Sequence, residues 1–483
     1  MRNKSLKKNY IYNLILTSLN LIFPLITSPY LSSVLGATNI GKVNYANSLI
    51  NWFILFAAFG IPRYGIREIS KNRDDRKTLT NSFWNLIIIQ FILSIIAIVI
   101  YLIIIFNVDY FESEISLYLV MSIMILLNIF SIDWFYQGVE EYGYITIRNI
   151  IFKIISIVLI FAVVKNREQY ILYAVINVFG LSFNNVLNYF HAFKYIDKKL
   201  YDLKIIKYLK QLRVYFFTTF IISIYTQLDQ IMVGNIAPSD LAYYMRSKTA
   251  LNIGMGVTNS VVTVFIPRSA YLIQNNYYQY KKMIEKSINY IYILAVPCVV
   301  GFFLLSDEIM LLLGGTEFLP ASISLKIICF LILINSIGAW QINQILIPHK
   351  FENTAFYIQC FGAAFSIVLN LILITKKSYI GAAITWTLTE LILAILGSFI
   401  IRKRCKEIKI KYINNSFIKY LISSVSMSII VIYIKNIIEN LFLSIVLSAG
   451  FGAIIYFILL IILKDDNILQ ILALIRKKIQ KNK

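Results

Sequence analysis

The chain has 483 residues, of which 59% are hydrophobic and only 14% charged, and its mean hydropathy is +0.72. Soluble domains carry about 25% charged residues, so this composition excludes a soluble enzyme or binding module and places the chain in a lipid bilayer. The net charge of +22 is therefore read for its distribution between loops, not as a sign of a nucleic-acid partner.

In chain order, the N-terminal stretch MRNKSLKKNYIYNLILTSLNLIF starts basic like a signal peptide. Its apolar run exceeds the roughly 7–15 residues of a signal core and has no clear small-residue cleavage site, so it reads as a retained first helix. Apolar stretches of about 20 residues lie near 10–34, 43–62, 83–106, 115–136, 145–164, 169–193, 213–236, 241–267, 287–306, 323–347, 354–375, 379–401, 416–434 and 440–463. This predicts fourteen transmembrane helices, with both termini on one face. The loops on that face carry the large majority of the 46 Lys and Arg, which makes it cytoplasmic. The acidic loops NVDYFESE and DEIMLLLGGTEF fall on the other face.

Between the first two helices, GATNIGKV at 36–43 has the Gly-x4-Gly-Lys frame of a phosphate-binding loop. Val43 stands where that loop needs a Ser or Thr to ligate Mg²⁺, and the position is an outer helix–helix connection with no strand before it. The glycines are expected to make a tight turn. The four cysteines show no paired spacing, and the two histidines give metal chemistry little to build on. No cofactor is expected.

An internal repeat organises the chain. Tyr45-x-x-Ser48 is followed by Ile61-Pro62-Arg63, and Tyr244-x-x-Ser247 by Ile266-Pro267-Arg268. This predicts an N-lobe at 1–193 (helices 1–6), a linker at 194–212, a C-lobe at 213–402 (helices 7–12) and helices 13–14 with a basic tail at 403–483. The linker reads as an amphipathic surface helix, with Ile205, Ile206, Leu209 and Leu212 on one side and Lys204, Lys207 and Lys210 on the other. Two pseudo-symmetric lobes are a recurring secondary-carrier plan.

The stretches LTSLNLIFPLITSPYLSSVLGATNIGKVNYANSLINWF, GIPRYGIREISKNRDD, SIDWFYQGVEEYGYITIRNIIFKI and QLDQIMVGNIAPSDLAYYMRSKT resemble the polysaccharide-transporter (Wzx-type) flippases of the multidrug/oligosaccharidyl-lipid/polysaccharide (MOP) superfamily. The resemblance is densest in 14–155 and 213–270, and the Asp-Trp-Phe-x-Gln-Gly block at 133–138 is its most specific part. It implies an all-α, fourteen-helix membrane protein, similar to multidrug (MATE) transporters and lipid flippases. Such a protein moves undecaprenyl-pyrophosphate-linked oligosaccharide to the outer leaflet of a bacterial cytoplasmic membrane. Membrane lipids, a polysaccharide polymerase and glycosyltransferases are the implied partners. Coupling to Na⁺, H⁺ or the membrane potential stays open.

A charge at bilayer depth costs roughly 2.5–3.5 kcal/mol at least, so each needs a partner or a wet cavity. Asp133 with Arg148 and Lys153, and Asp229 with Arg246 and Lys248, form two acid–base groupings, one per lobe. On one reading they tie adjacent helices together. On the other, the four cations border an interlobe cavity and hold the pyrophosphate. Asp133, Asp229 and Glu390 are gate or ion-coupling candidates. Arg63, Arg67 and Arg268 are either positive-inside anchors or a cytoplasmic capture site. Gln341 and Gln344, at i and i+3, are sugar-binding candidates, although such amides also join helices. The rivals are a peptidoglycan-precursor flippase or multidrug antiporter of the same superfamily. In other classes they are a membrane-embedded polymerase or acyltransferase, or an assembly scaffold.

Overall fold

The computed structural model describes residues 6–408 and 410–481, with the side chains of 6–10, 13, 14 and 474–481 left aside. Arg2, Lys4, Lys409 and Lys483 of the loop-charge reading, and the first five residues of the retained first helix, lie outside the described residues.

Among the described residues the chain is all-helical. The elements are α1 (Leu6–Ala58), α2 (Ile61–Asn72), α3 (Arg76–Asn107), α4 (Ile115–Leu127), α5 (Asp133–Gly138), α6 (Tyr142–Val163), α7 (Tyr170–Val178), α8 (Asn184–Ala192) and α9 (Ile205–Ile236). There follow α10 (Pro238–Asn275), α11 (Tyr277–Leu304), α12 (Ser306–Gly314), α13 (Ala321–Ile328), α14 (Leu331–Trp340), α15 (Glu352–Arg404), α16 (Asn415–Ile437), α17 (Leu441–Ile462) and α18 (Asp466–Lys481).

Among the described residues, twelve helical segments are long and apolar enough to cross a membrane. Two of them, Ile15–Asn72 and Glu352–Arg404, run 58 and 53 residues. At 1.5 Å per residue, about 50 residues make roughly 75 Å of helix, well beyond a hydrocarbon core of about 30 Å. Each is broken at an expected outer connection, α1 at Gly36 (φ 73°, ψ 170°) and α15 at Ser378 (φ 45°, ψ −126°), and the first segment breaks again at Phe59 and Gly60 before α2. The long apolar segments make this a multi-pass membrane protein.

The suspected phosphate loop is thus a helix–turn–helix. Gly36 supplies the left-handed residue, and Val43 is buried. Lys42 pairs with Glu114 at 2.5 Å and lies 5.3 Å from the centre of the Tyr170 ring. Gly41 permits a close approach of two backbones, since a Cβ there would sit 1.8 Å from the carbonyl oxygen of Pro238. Gly41→Ala is therefore expected to destabilise the protein by roughly 3 kcal/mol, read as a lower melting temperature of the detergent-solubilised chain.

Contacts divide the chain into two compact units, Met1–Ala242 and Tyr243–Lys483. The first unit includes α9, whereas the sequence reading starts the second lobe at 213. The repeat has matching local chemistry in both units. Ser48 Oγ lies 2.8 Å from the Asn44 carbonyl and 2.9 Å from Gln230 Oε1. Ser247 Oγ lies 3.0 Å from the Tyr243 carbonyl and 2.8 Å from that of Ala321. Tyr45 and Tyr244 are both buried. The unequal spacing to Ile-Pro-Arg has a structural origin. In the first unit the chain breaks at Phe59 and Gly60, both at positive φ, and restarts as α2, whereas Pro267 sits inside a continuous α10.

The linker is not a separate helix. Residues 197–204 form a non-helical strap, and α9 then runs unbroken from Ile205. The N-terminal turns of α3 hold the strap: Asn81 Oδ1 accepts from the Tyr201 and Asp202 amides, Asn85 Oδ1 from Lys204, and the Trp84 indole donates to the Asp197 carbonyl. Asp75 caps α3, and hydrogen bonds from Thr78 and the Lys77 amide hold its carboxyl below the ordinary range. Leu212 packs into the core around Phe83 and Trp134, while Ile206 is 72% exposed, so the expected apolar side splits.

Candidate functional site

In the first unit the site begins where α4 tightens into a 3₁₀ turn at Asn128–Phe130 and restarts as α5 at Asp133. Arg148 on α6 reaches this carboxylate, with Nη2 2.9 Å from Asp133 Oδ1. The same oxygen accepts from Asn188 Nδ2 at 2.8 Å. Arg148 Nη2 also lies 3.3 Å from Asn149 Oδ1, which accepts from Asn184 Nδ2 at 2.9 Å. Asn184 and Asn188 are one turn apart on α8, directly after a π-helical stretch at Phe179–Phe183. π-bulges recur at functional sites.

The pair is lopsided. The Arg148 side chain is only 4% exposed and that of Asp133 is 34%. Arg148 Nε and Nη1 find no acceptor, and the Tyr144 ring centre lies 5.9 Å from its Cζ. Lys153 does not join this group. Its Nζ contacts Asn20 Oδ1 on α1 and lies 5.5 Å from the Phe23 ring centre. The expected three-residue grouping is therefore an Arg–Asp pair backed by three asparagines.

In the second unit, Lys248 Nζ lies 4.5 Å from the ring centre of Trp386 and 4.9 Å from that of Tyr244. Arg246, half a turn earlier, lies over Phe318 at 5.0 Å. Glu390 is buried one turn after Trp386 on α15, and its Oε1 accepts from Asn335 Nδ2 at 3.1 Å. Asp229 is buried in α9 of the first unit, where its Oδ1 accepts from the Gln230 amide at 2.9 Å.

Gln341 and Gln344 are spent on packing. Gln341 Nε2 lies near the Ala394 carbonyl, Ser398 Oγ and Tyr412 Oη at 2.9–3.1 Å. Gln344 donates to the Val262 carbonyl at 3.0 Å and accepts from Ser287 at 2.8 Å. Both are buried, and both lie on a π-helical stretch at Gln341–Leu346. Both amides are engaged by neighbouring helices. Arg63, Arg67 and Arg268 are exposed, and Arg67 donates to the Tyr215 hydroxyl at 3.0 Å. Sequence reasoning missed Asn149, Asn184, Asn188, Tyr144 and Trp386. The available signals were the four-residue spacings Asn184 to Asn188, Tyr144 to Arg148 and Trp386 to Glu390.

A family model described as "Polysaccharide biosynthesis protein" matches residues 6–273, more than half of the chain. The chain belongs to this polysaccharide biosynthesis family. Another protein similar to this family member is named "Putative O-antigen transporter", from Escherichia coli (strain K12). It is 23% identical over 415 residues, covering 82% of this chain and 97% of its own length. Among solved structures, the lipid II flippase MurJ in an inward closed conformation superposes with a TM-score of 0.70 at 17% identity, covering 95% of this chain and 99% of that one. An inward-facing MATE multidrug transporter of the MOP superfamily gives 0.60 at 13% identity, covering 83% and 98%. These likenesses show a shared fold, and with the family match they bear out the resemblance drawn from the sequence.

Proposed function

We propose that this family member is a flippase, not an enzyme, that carries an undecaprenyl-pyrophosphate-linked oligosaccharide from the cytoplasmic to the outer leaflet of the bacterial cytoplasmic membrane. The observation that carries the proposal is a cation set inside the apolar helices of each unit: Arg148, buried on Asp133 and Tyr144, and Lys248, over Trp386 and Tyr244. An unsatisfied hydroxyl costs roughly 4–8 kcal/mol in hydrocarbon, so a several-sugar headgroup needs a polar path. A pyrophosphate on that path needs Arg or Lys. The name of the Escherichia coli relative supports a transporter of surface glycan.

In this reading the first unit offers the pyrophosphate Arg148, and the second offers Arg246 and Lys248. Arg63, Arg67 and Arg268 attract it at the cytoplasmic face, and Asp133, Asp229 and Glu390 couple the cycle to H⁺, Na⁺ or the membrane potential. The breaks at Gly36 and Ser378 support fourteen crossings, with both termini cytoplasmic. A polymerase and glycosyltransferases work alongside it. The fit to MurJ supports lipid II as a second substrate reading.

The test places purified protein in liposomes with fluorescent undecaprenyl-pyrophosphate oligosaccharide and follows its exposure to an impermeant quencher. Accelerated equilibration of that probe, and not of a dye or of lipid II, is the expected result. No acceleration under any potential or ion gradient, with folded protein, overturns the proposal.

A further inference from the structure

Residues 194–213 carry seven Lys and Arg against two Asp, and the flippase reading gives this segment no role. Both acids are spent close by: Asp197 pairs with Arg76 at 2.8 Å and accepts from the Tyr201 hydroxyl, and Asp202 pairs with Lys204. Lys199, Lys207, Lys210 and Arg213 are exposed, and among the described residues no carboxylate pairs with them. The polar groups of α3 also fix the strap by its backbone. Thr80, Asn81 and Asn85 take the amides of Asp197, Tyr201, Asp202 and Lys204, and Leu203 and Ile206 are left 54% and 72% exposed. On α9, Ile206, Lys210 and Arg213 stand at i, i+4 and i+7, one exposed stripe. Tyr208 and Leu212 hold the opposite, buried stripe in the core. Depth decides what covers the exposed one. From Asn85 to its end at Asn107, α3 rises about 33 Å at 1.5 Å per residue, slightly more than a hydrocarbon core of about 30 Å. In the topology proposed above, the strap therefore lies in the headgroup layer of the cytoplasmic leaflet.

We propose that the strap and the first turns of α9 form a docking surface for anionic phospholipid headgroups of that leaflet. Leu203 and Ile206 enter the boundary between headgroups and acyl chains, as the apolar side of an interfacial segment does. Lys199, Lys207, Lys210 and Arg213 take the phosphates. Charge complementarity names the occupant, because a cationic surface whose own acids are paired favours an anionic lipid over a zwitterionic one. Each basic residue near such a surface is worth about fivefold in affinity at low salt. The inference rests on the cytoplasmic placement of the strap, not on what the chain carries.

Native mass spectrometry of the solubilised full chain, titrated with phosphatidylglycerol or phosphatidylcholine, reads the bound lipid. Wild type is expected to bind phosphatidylglycerol about 10-fold tighter or more at its best site. A strap variant carrying Lys199→Gln, Lys207→Gln and Lys210→Gln should lose about 10-fold or more of that affinity, and added salt should narrow its difference from wild type. All three side chains are exposed, so the variant is expected to fold and elute as wild type does. A control with Lys165→Gln, Lys376→Gln and Lys377→Gln removes the same charge from exposed lysines at expected outer connections. It should bind phosphatidylglycerol as wild type does. No preference between the lipids in wild type, undiminished binding by the strap variant, or equal losses in strap and control variants overturns the proposal. Displacement of the lipid by stoichiometric inorganic pyrophosphate marks a soluble-anion site and overturns the lipid assignment. Selective binding that the strap variant loses, in a wild type that moves no oligosaccharide probe, sinks the flippase reading and leaves the docking surface standing.

Discussion

Replacing Lys248 with glutamine is expected to stop transport of the lipid-linked oligosaccharide while the chain still inserts and elutes as wild type does. Glutamine keeps much of the stem that packs against Tyr244 and Trp386 and removes only the charge. Truncating one partner of a buried, hydrogen-bonded charge pair costs roughly 2–5 kcal/mol, which is about 30-fold or more in rate at the lower bound. Lys248→Arg should recover a measurable fraction, since a guanidinium also binds phosphate and also sits on aromatic faces. Normal transport by Lys248→Gln would remove this lysine from the substrate path. Equal loss in the Arg and Gln variants, with both correctly folded, would point to a packing role instead of a charge role.

The helical architecture was legible because hydropathy of this strength leaves the backbone no alternative: inside a bilayer every N–H and C=O must be paired within the chain. The turn at Gly36 was legible for a local reason, a glycine where two apolar runs meet. The Asp133–Arg148 pair could also be anticipated, because a short connection brings the end of one helix against the start of the next. Lys153 could not be placed in the same way. Its contacts with Asn20 and Phe23 depend on how α1 packs against α6, and no local pattern records that.

The shared face expected of Gln341 and Gln344 does not form, for a geometric reason. An i, i+3 pair shares a face in an α-helix, but residues 341–346 wind as a π-helix with more residues per turn. Gln341 is thereby directed to α15 and Tyr412, and Gln344 to α10 and α11. The linker was misjudged because its lysines broke the hydropathy, although helix formation tolerates lysine well. Trp386 was hidden in an aromatic-rich chain with 33 Tyr and 33 Phe.

Asp133→Ala is expected to destabilise the first unit by about 3 kcal/mol, because removing one partner leaves a buried charge uncompensated. Arg148 would retain only Asn149 as a hydrogen-bond acceptor, with Nε and Nη1 already unsatisfied. The partial exposure of Asp133 places the estimate at the low end of the usual range. Asp133→Asn should cost less, because an amide oxygen can still accept from Arg148 and Asn188. The double variant Asp133→Leu with Arg148→Met removes both charges and should recover most of the lost stability, as buried pairs replaced by apolar side chains often do. Denaturation of the solubilised protein measures all three.

The double variant also separates the two roles that the sequence left open. If it is stable and still moves the oligosaccharide, Asp133 and Arg148 are a structural tie between α5 and α6. If it is stable and inactive, the guanidinium acts on the substrate, and the 34% exposure of its carboxylate partner marks the side from which a pyrophosphate would displace Asp133. Such a displacement exchanges one oxyanion for another on the same cation, so the substrate replaces the pairing that it breaks.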